Sequence, residues 1–133
     1  MKKGHLELGE KPSEADIEKF LPQFPSGLPE SYLDFLKKHN GASGDLPVQP
    51  WYFILWELEI LIEYNADYEI QTYLPDYFAI GGQGGGEFFA FNLETLKIFT
   101  IPFVPMNEED AILVAESFEE FENMMGFKAE NQQ

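Results

Sequence analysis

The sequence predicts an α+β domain in which helices come first, antiparallel strands follow, and a last helix closes the chain. Three observations predict this class. Apolar residues recur at helical spacing in the first 40 residues, aromatic and β-branched runs separated by turn signals fill the middle, and a capping box opens the last amphipathic segment. We expect a mainly antiparallel sheet of about four to six strands, flanked by N-terminal helices and a C-terminal helix.

Two short helices are predicted before the first strand. Ser13 is placed as the N-cap of the first helix, which ends near Pro22. The second helix begins at Pro29, and its apolar stripe consists of Tyr32, Phe35, Leu36 and His39. A histidine on such a stripe packs and caps more often than it catalyses, so we expect a structural role for His39.

The middle of the chain alternates strands with turns. Residues 51–55, "WYFIL", have the composition of a strand, and the spacing of apolar residues then becomes helical in "WELEILIEYNADY". Further strands are predicted at 76–81, 87–92 and 96–103. The apolar run at 111–115 is either a strand or a buried approach to the last helix.

We expect one domain over residues 13–126, because 133 residues lie within the usual size of a single domain. Residues 1–12 are polar and are expected to be flexible, and residues 127–133 are expected to form a polar tail. The last helix begins at the capping box of Ser117 with Glu120.

Charge is the most unusual feature of the composition. The chain carries a net charge of −16 and contains 24 acidic residues, and residues 42–133 hold two lysines against seventeen acids, which is −15 (2 − 17). All eight basic residues are lysines, so the arginines that usually read phosphates and bases are missing. Such a surface repels nucleic acid and attracts a basic protein, although acidic surfaces also serve solubility alone.

Composition also limits the compartment and the chemistry. The chain has no cysteine, which excludes disulfides and suits a reducing cytoplasm. It contains no apolar run long enough to span a bilayer and no secretory signal, so we expect a cytoplasmic protein without a membrane partner. With two histidines and no cysteine, a zinc site is not expected either.

The glycine run "IGGQGGGEFFAFN" places five of eleven glycines within residues 81–86. A phosphate-binding loop would need a lysine and a hydroxyl after the glycines, or a helix opened by them. Here Glu87 and Phe88 follow, and the next segment has the pattern of a strand. We therefore expect a hairpin that joins two strands.

Catalytic motifs are absent from the pattern, with one alternative left open. No serine stands in a nucleophile elbow, and the acids at 107–111 are expected to lie in an exposed turn. Two carboxylates in a cleft could still serve a hydrolase, and Glu57 with Asp76 or Glu87 would be the candidates. Solvated acids on a helix or a strand edge are the commoner interpretation. No catalytic residue, cofactor or metal is predicted.

The order of these segments resembles the SMI1/KNR4 family, also called the SUKH superfamily, from about Leu28 to Gly126. The family's first helix ends in an Asn-Gly pair and is matched by Leu28, Pro29, Tyr32, Phe35, Leu36, Asn40 and Gly41. Its strand–glycine turn–strand unit is matched by Ile80, Gly81, Gly85, Gly86, Glu87 and Phe89. Its last helix is matched by Ser117, Phe118 and Phe121. Gln83 stands where many members have an aspartate.

This resemblance implies a non-catalytic α+β binding domain. Bacterial members look like immunity proteins that bind and neutralise toxin domains, often nucleases, whereas fungal relatives are scaffold-like regulators. We therefore expect an acidic immunity protein that binds a basic partner, a toxin domain, with a scaffold role as the alternative. Acidic and aromatic residues of the middle region are the candidates for the contact: Trp51, Glu57, Glu59, Asp76 and Glu87.

Overall fold

Helices and strands occupy most of residues 2–130, the part of the chain that the computed structural model describes. The helices are α1 (Glu14–Phe20), α2 (Glu30–Lys38), α3 (Leu58–Asp67), α4 (Ile70–Tyr73) and α5 (Phe118–Met124). The strands are β1 (Lys2–Lys3), β2 (Leu6–Leu8), β3 (Ala42–Asp45), β4 (Tyr52–Leu55), β5 (Tyr77–Gly82), β6 (Glu87–Asn92), β7 (Ile98–Pro102), β8 (Ile112–Ala115) and β9 (Phe127–Lys128). Short 3-10 turns span Leu21–Gln23 and Glu108–Asp110.

Seven strands form one antiparallel sheet in the order β2-β3-β4-β5-β6-β7-β8, and β1 pairs with β9 in a separate ribbon. Each neighbour in the large sheet is antiparallel, and α5 follows the last strand of it. This architecture confirms the α+β class predicted from the sequence. The run at 111–115, for which two interpretations were open, forms strand β8.

The sheet exceeds the expected four to six strands because β2 and β3 come from segments without strand composition. Residues 1–12 were expected to be flexible, yet β2 pairs with β3 along three residues. Gly44 makes this possible, since a Cβ atom there would lie 2.4 Å from the carbonyl oxygen of His5. The Asp45 side chain adds a hydrogen bond of 2.6 Å from the backbone N–H of His5.

The end of the chain also differs from the expected polar tail. Phe127 and Lys128 form β9, which pairs with Lys3 and Lys2 of β1. Residues 131–133, the rest of that predicted tail, lie outside the described residues.

One part of the core lies between a face of the sheet and helices α2 and α5, and buried residues of α3 and α4 form another part. Phe53 of β4 and Phe89 of β6 are fully buried and both contact Phe121 of α5, with ring centroids 5.5 and 5.6 Å apart. Tyr32 of α2 contacts Phe118 of α5 at 5.2 Å. Edge-to-face geometry of this kind adds to the free energy already gained from burying the rings.

Helix α3 takes the place of a strand beside β5. Strand β4 pairs with β5 at only two positions, and beyond them it turns away into α3. The side chain of Asn65 then accepts a hydrogen bond from the backbone N–H of Ala79 and donates one to its carbonyl, both at 2.9 Å. Because Asn65 is buried, these bonds satisfy strand-edge groups that would otherwise lack partners.

The glycine run forms the predicted hairpin between β5 and β6. A Cβ atom on Gly81 would lie 2.3 Å from the carbonyl oxygen of Ile54, so this glycine permits the close approach of β4. Gly84 has a φ of +83°, which favours glycine, whereas a Cβ atom on Gly86 would meet nothing within 4 Å. The run therefore shapes a turn and a strand pairing.

Candidate functional site

The five residues predicted to contact a partner do not form one cluster. Trp51 and Glu57 flank β4, one at each of its ends. Glu59 lies in the first turn of α3, Asp76 directly precedes β5, and Glu87 opens β6. Trp51 is exposed to 41%, and Glu57 and Asp76 are also exposed. Their contact with a partner stays a prediction.

The other large side chains near Trp51 divide between the core and the surface. Phe53 and Trp56 are buried, while Tyr52 is half-buried and the Ile54 side chain is exposed. Successive side chains of a strand point to opposite faces, so β4 presents Phe53 to the core and Ile54 to solvent.

Glu57 borders a hollow that we name the Asn40 groove, which is lined by residues of β2, β3 and β4 together with Gly9, Asn40, Gly41 and Glu57. It has a volume of about 410 Å³. Gly41 has a φ of +91°, and a Cβ atom there would lie 3.0 Å from the Glu57 side chain. The chain therefore passes close to Glu57 at a position that favours glycine.

Asn40 uses both ends of its amide within the fold. Its Oδ1 accepts a hydrogen bond of 2.7 Å from the backbone N–H of Leu58, and its Nδ2 donates one of 2.9 Å to the Glu59 carboxylate. The first bond caps α3 from a distance, because the N-cap residue Glu57 makes no side-chain cap bond. Glu59 is thus engaged in holding α2 to α3.

Glu87 is also engaged, at the glycine turn. Its carboxylate accepts a hydrogen bond of 3.1 Å from Gln83 Nε2. The turn consequently presents a carboxylate where a phosphate-binding loop would present a cation. This geometry agrees with the hairpin interpretation of the glycine run.

The hydrolytic pair of Glu57 with Asp76 or Glu87 stays an untested alternative. The backbone N–H of Trp56 donates to the carbonyl of Ile80 at 2.9 Å, and Glu57 follows as the N-cap residue of α3. Asp76 directly precedes β5, and Glu87 opens β6. Among residues 2–130, no group of three or more His, Asp or Glu side chains could hold a metal ion.

His39 has the structural role that its place on the helix predicted. It ends α2, where its backbone N–H donates to the Phe35 carbonyl at 2.8 Å. Its ring packs against that of Phe35 at 5.2 Å, and Nδ1 lies 3.3 Å from the carbonyl oxygen of Gly9. The histidine therefore joins the end of α2 to the segment that follows β2.

A second hollow was not predicted from the sequence. We name it the aromatic cleft, and its lining residues are Asp67, Tyr68 and Tyr73 on one side and Phe103, Val104, Pro105, Met106 and Asn107 on the other. It has a volume of about 580 Å³. Three of its side chains, those of Tyr68, Tyr73 and Val104, are large and apolar or aromatic, yet exposed.

A partial signal for the aromatic cleft does exist in the sequence. The segment "NADYEIQTY" alternates acids with tyrosines, a composition typical of binding surfaces. The opposite wall comes from the loop after β7, and only the fold brings these two segments together. Burial, which would separate exposed from core aromatics, cannot be read from composition.

Two titratable tyrosines are perturbed by the fold. Burial raises the pKa of Tyr32 in the core far above its usual range. Burial also raises the pKa of Tyr77, a hydrogen bond with Asn92 opposes that change, and the nearby Glu108 carboxylate adds to it. Tyr32 lies in the core, so its perturbation reflects packing and does not mark a reactive site.

None of the helices in residues 2–130 has the length and apolar character needed to cross a bilayer. Fold and surface together define a small acidic α+β domain whose surface includes the Asn40 groove and the aromatic cleft. The model of the SMI1/KNR4 family (SUKH-1) matches residues 11–124, and the chain therefore belongs to this family. No curated protein matches the chain.

Proposed function

We propose that this protein is an acidic immunity protein that binds and neutralises a basic toxin domain in the cytoplasm. Toxin domains of this kind are often nucleases. It acts by covering the toxin surface and carries out no reaction of its own, so it needs no cofactor. Membership of the SMI1/KNR4 family supports an immunity-type role. The scaffold role suggested by fungal relatives would use the same kind of surface with several partners.

The observation that carries this proposal is the surplus of exposed carboxylates on a surface that also exposes aromatic side chains. From residue 42 to residue 127, Lys97 is the single lysine against sixteen acids, and it is paired with Glu116 at 3.3 Å. The field of these carboxylates would steer a basic protein onto the surface and raise its rate of association. Carboxylates can also occupy a groove that binds phosphates.

The test uses the toxin domain encoded beside the gene of this protein. We expect the purified protein to bind that domain, to inhibit its activity, and to bind at least tenfold more weakly at about 500 mM salt than at about 50 mM. Calorimetry at the two salt concentrations measures the affinity. Binding without salt dependence would contradict the electrostatic part, and a toxin that stays active in the complex would contradict neutralisation.

A further inference from the structure

We propose that the aromatic cleft is the place where an arginine side chain of the basic partner inserts. This inference rests on the proposed function for the identity of the partner, and it deepens that function by naming the surface and the chemical group recognised. It is carried by the ring packing that forms the floor of the cleft, by the exposure of its walls and by the position of Asp67.

Packed aromatic rings form the floor of the cleft. The ring of Phe103 packs against Tyr68 at 4.6 Å and against Phe88 at 4.9 Å. The backbone N–H of Phe103 donates to the carbonyl of Gly86 at 2.9 Å, which ties the loop after β7 to the glycine turn. A preformed floor lowers the entropy lost when a side chain enters.

The walls of the cleft are exposed although they are apolar or aromatic. Val104 is exposed to 88% and Tyr73 to 59%, the two largest values among the exposed large hydrophobic side chains of residues 2–130. Apolar side chains that converge on one hollow in this way are typical of interaction sites. They offer a surface for the aliphatic stem of a long side chain.

The corner between α3 and α4 holds both tyrosines in the cleft. Glu69 adopts a left-handed conformation, with φ 54° and ψ 41°, and its carbonyl accepts hydrogen bonds from Thr72 and Tyr73. This conformation is unfavourable for a residue with a Cβ atom. The packing and hydrogen bonds around the corner therefore maintain a turn that sets Tyr68 and Tyr73 along the same hollow.

Asp67, the one acid among the eight lining residues, lies where it does not stabilise its own helix. It is the last residue of α3, and the last turn of α3 contains no basic residue. Negative charge at the C-terminus of a helix opposes the helix dipole. A cation supplied by a partner would relieve this repulsion and would lie beside the ring of Tyr68.

An arginine matches these features better than other occupants do. Its flat guanidinium stacks on aromatic rings and pairs with carboxylates, while its stem covers apolar surface. None of the eight residues that line the cleft is a lysine or an arginine, so the site itself holds no cation. A second copy of the chain has no arginine to offer and would bring a net charge of −16 to an acidic surface.

A titration with the tripeptide N-acetyl-Gly-Arg-Gly-amide tests the cleft independently of any toxin. We expect saturable chemical-shift changes in nuclear magnetic resonance spectra at Tyr68, Tyr73 and Val104. The same peptide with citrulline, which has the shape of arginine without its charge, should bind roughly five- to tenfold more weakly. Equal binding of both peptides, or shifts spread over the acidic surface without saturation at the cleft, would overturn the proposal.

Variants connect the cleft to the partner. Tyr73→Ala and Asp67→Asn should each weaken binding of the toxin domain and of the arginine peptide by about tenfold. The matched controls are Ile112→Ala, an exposed apolar side chain of β8 outside the cleft, and Glu94→Gln, an exposed acid in the β6–β7 turn. Both controls should retain wild-type affinity for both ligands.

The outcomes separate this inference from the proposed function. If the controls weaken toxin binding and the cleft variants do not, the toxin is bound elsewhere, and the inference fails while the function stands. If the arginine peptide binds at the cleft but no toxin domain associates with the protein, the proposed function fails and the arginine-binding chemistry of the cleft is supported.

Discussion

The two ends of helix α3 carry carboxylates in opposite situations. At the first turn, Glu59 accepts a hydrogen bond from Asn40 and lies at the positive end of the helix dipole. About 12 Å along the helix axis, at the last turn, Asp67 lies at the negative end with no basic residue in the same turn. The Asn40 groove adjoins the first end, and the aromatic cleft adjoins the second.

This difference separates acids that stabilise the fold from acids that are available to a partner. A net charge of −16 does not by itself locate a binding surface, because each exposed carboxylate contributes to it equally. The hydrogen-bond partner of each carboxylate and its position on the helix do distinguish acids that stabilise the fold from acids that can bind a partner. Substitutions of Asn40 and Glu59 at the first end of α3 should therefore lower stability, whereas substitution of Asp67 at the last end should lower binding without lowering stability.

The largest expected effect concerns the strand pairing that connects β4, and hence the start of α3, to the rest of the sheet. In Gly81→Ala the new Cβ atom would lie 2.3 Å from the Ile54 carbonyl oxygen, so β4 and β5 must separate. We expect a loss of roughly 3 kcal/mol or more in the free energy of unfolding, measured by urea titration. The matched control is Gly86→Ala, which enters open space and should change stability by less than about 1 kcal/mol. Equal losses would contradict the role of Gly81.

A smaller effect is expected at the first end of α3 itself. Asn40→Ala removes the cap on the Leu58 backbone N–H and the hydrogen bond to Glu59. We expect a loss of about 2 kcal/mol by urea unfolding, with unchanged affinity for the arginine peptide. As a control, Glu63→Gln changes an exposed acid in the middle of α3, away from both helix ends, and should change stability by less than about 0.5 kcal/mol. A stable Asn40→Ala protein with impaired binding would reverse the assignment of the two ends.

Sequence reasoning reached the fold class because its signals are local. Helical spacing, the capping box at Ser117 and the glycine turn each act within a few residues, and the structure bears them out, with the Ser117 side chain accepting from the Glu120 N–H at 3.1 Å. Strands β2 and β3 were not predicted because pairing with each other, rather than composition, makes them strands. The four-residue helix α4 lacks enough residues to show a period.

The sites were less predictable because they depend on contacts between distant segments. Composition identified Glu59 as a candidate for partner binding, but its hydrogen-bond donor, Asn40, lies nineteen residues earlier in the chain. Tyr68 is an ordinary helix-end residue in the sequence, and its exposure and its packing on Phe103 follow from tertiary structure. Residue type alone cannot distinguish these two situations.

A third prediction concerns the Tyr32 hydroxyl in the core between α2 and the sheet. This group lies at neither end of α3, so its substitution should change stability and leave binding unchanged. The Tyr32 hydroxyl is buried and has no hydrogen-bond partner among the described residues. Tyr32→Phe should therefore raise the free energy of unfolding by about 1 kcal/mol at neutral pH, as measured by urea titration. A loss of similar size would show that the hydroxyl has a partner.

The pH dependence of the free energy of unfolding provides a second test of the role of Tyr32. Burial raises the Tyr32 pKa above its ordinary value of 10.0, so the folded protein keeps this proton while the unfolded chain releases it. The contribution of Tyr32 is thus complete below about pH 10 and falls as the pH rises further, by up to about 1.4 kcal/mol per unit. Unfolding measured from pH 8 to pH 11 should show a shallower decline for Tyr32→Phe, while arginine-peptide binding should show no difference between the two proteins.

The smallest effect concerns the last turn of α3 and has the opposite sign from that expected at Asn40. Asp67→Asn removes a negative charge from the unfavourable end of the helix dipole, so we expect stability to rise by about 0.3–1 kcal/mol at low ionic strength. The matched variant Glu59→Gln removes a charge from the favourable end and should lower stability by a similar amount. Thermal unfolding at about 10 mM and about 500 mM salt measures both changes, which screening should reduce at the higher concentration. A carboxylate whose role is to bind a cation of the partner is expected to weaken its own helix and to strengthen binding. If Asp67→Asn instead destabilised the protein, the carboxylate would serve the fold as Glu59 does, and the contrast between the two ends of α3 would disappear.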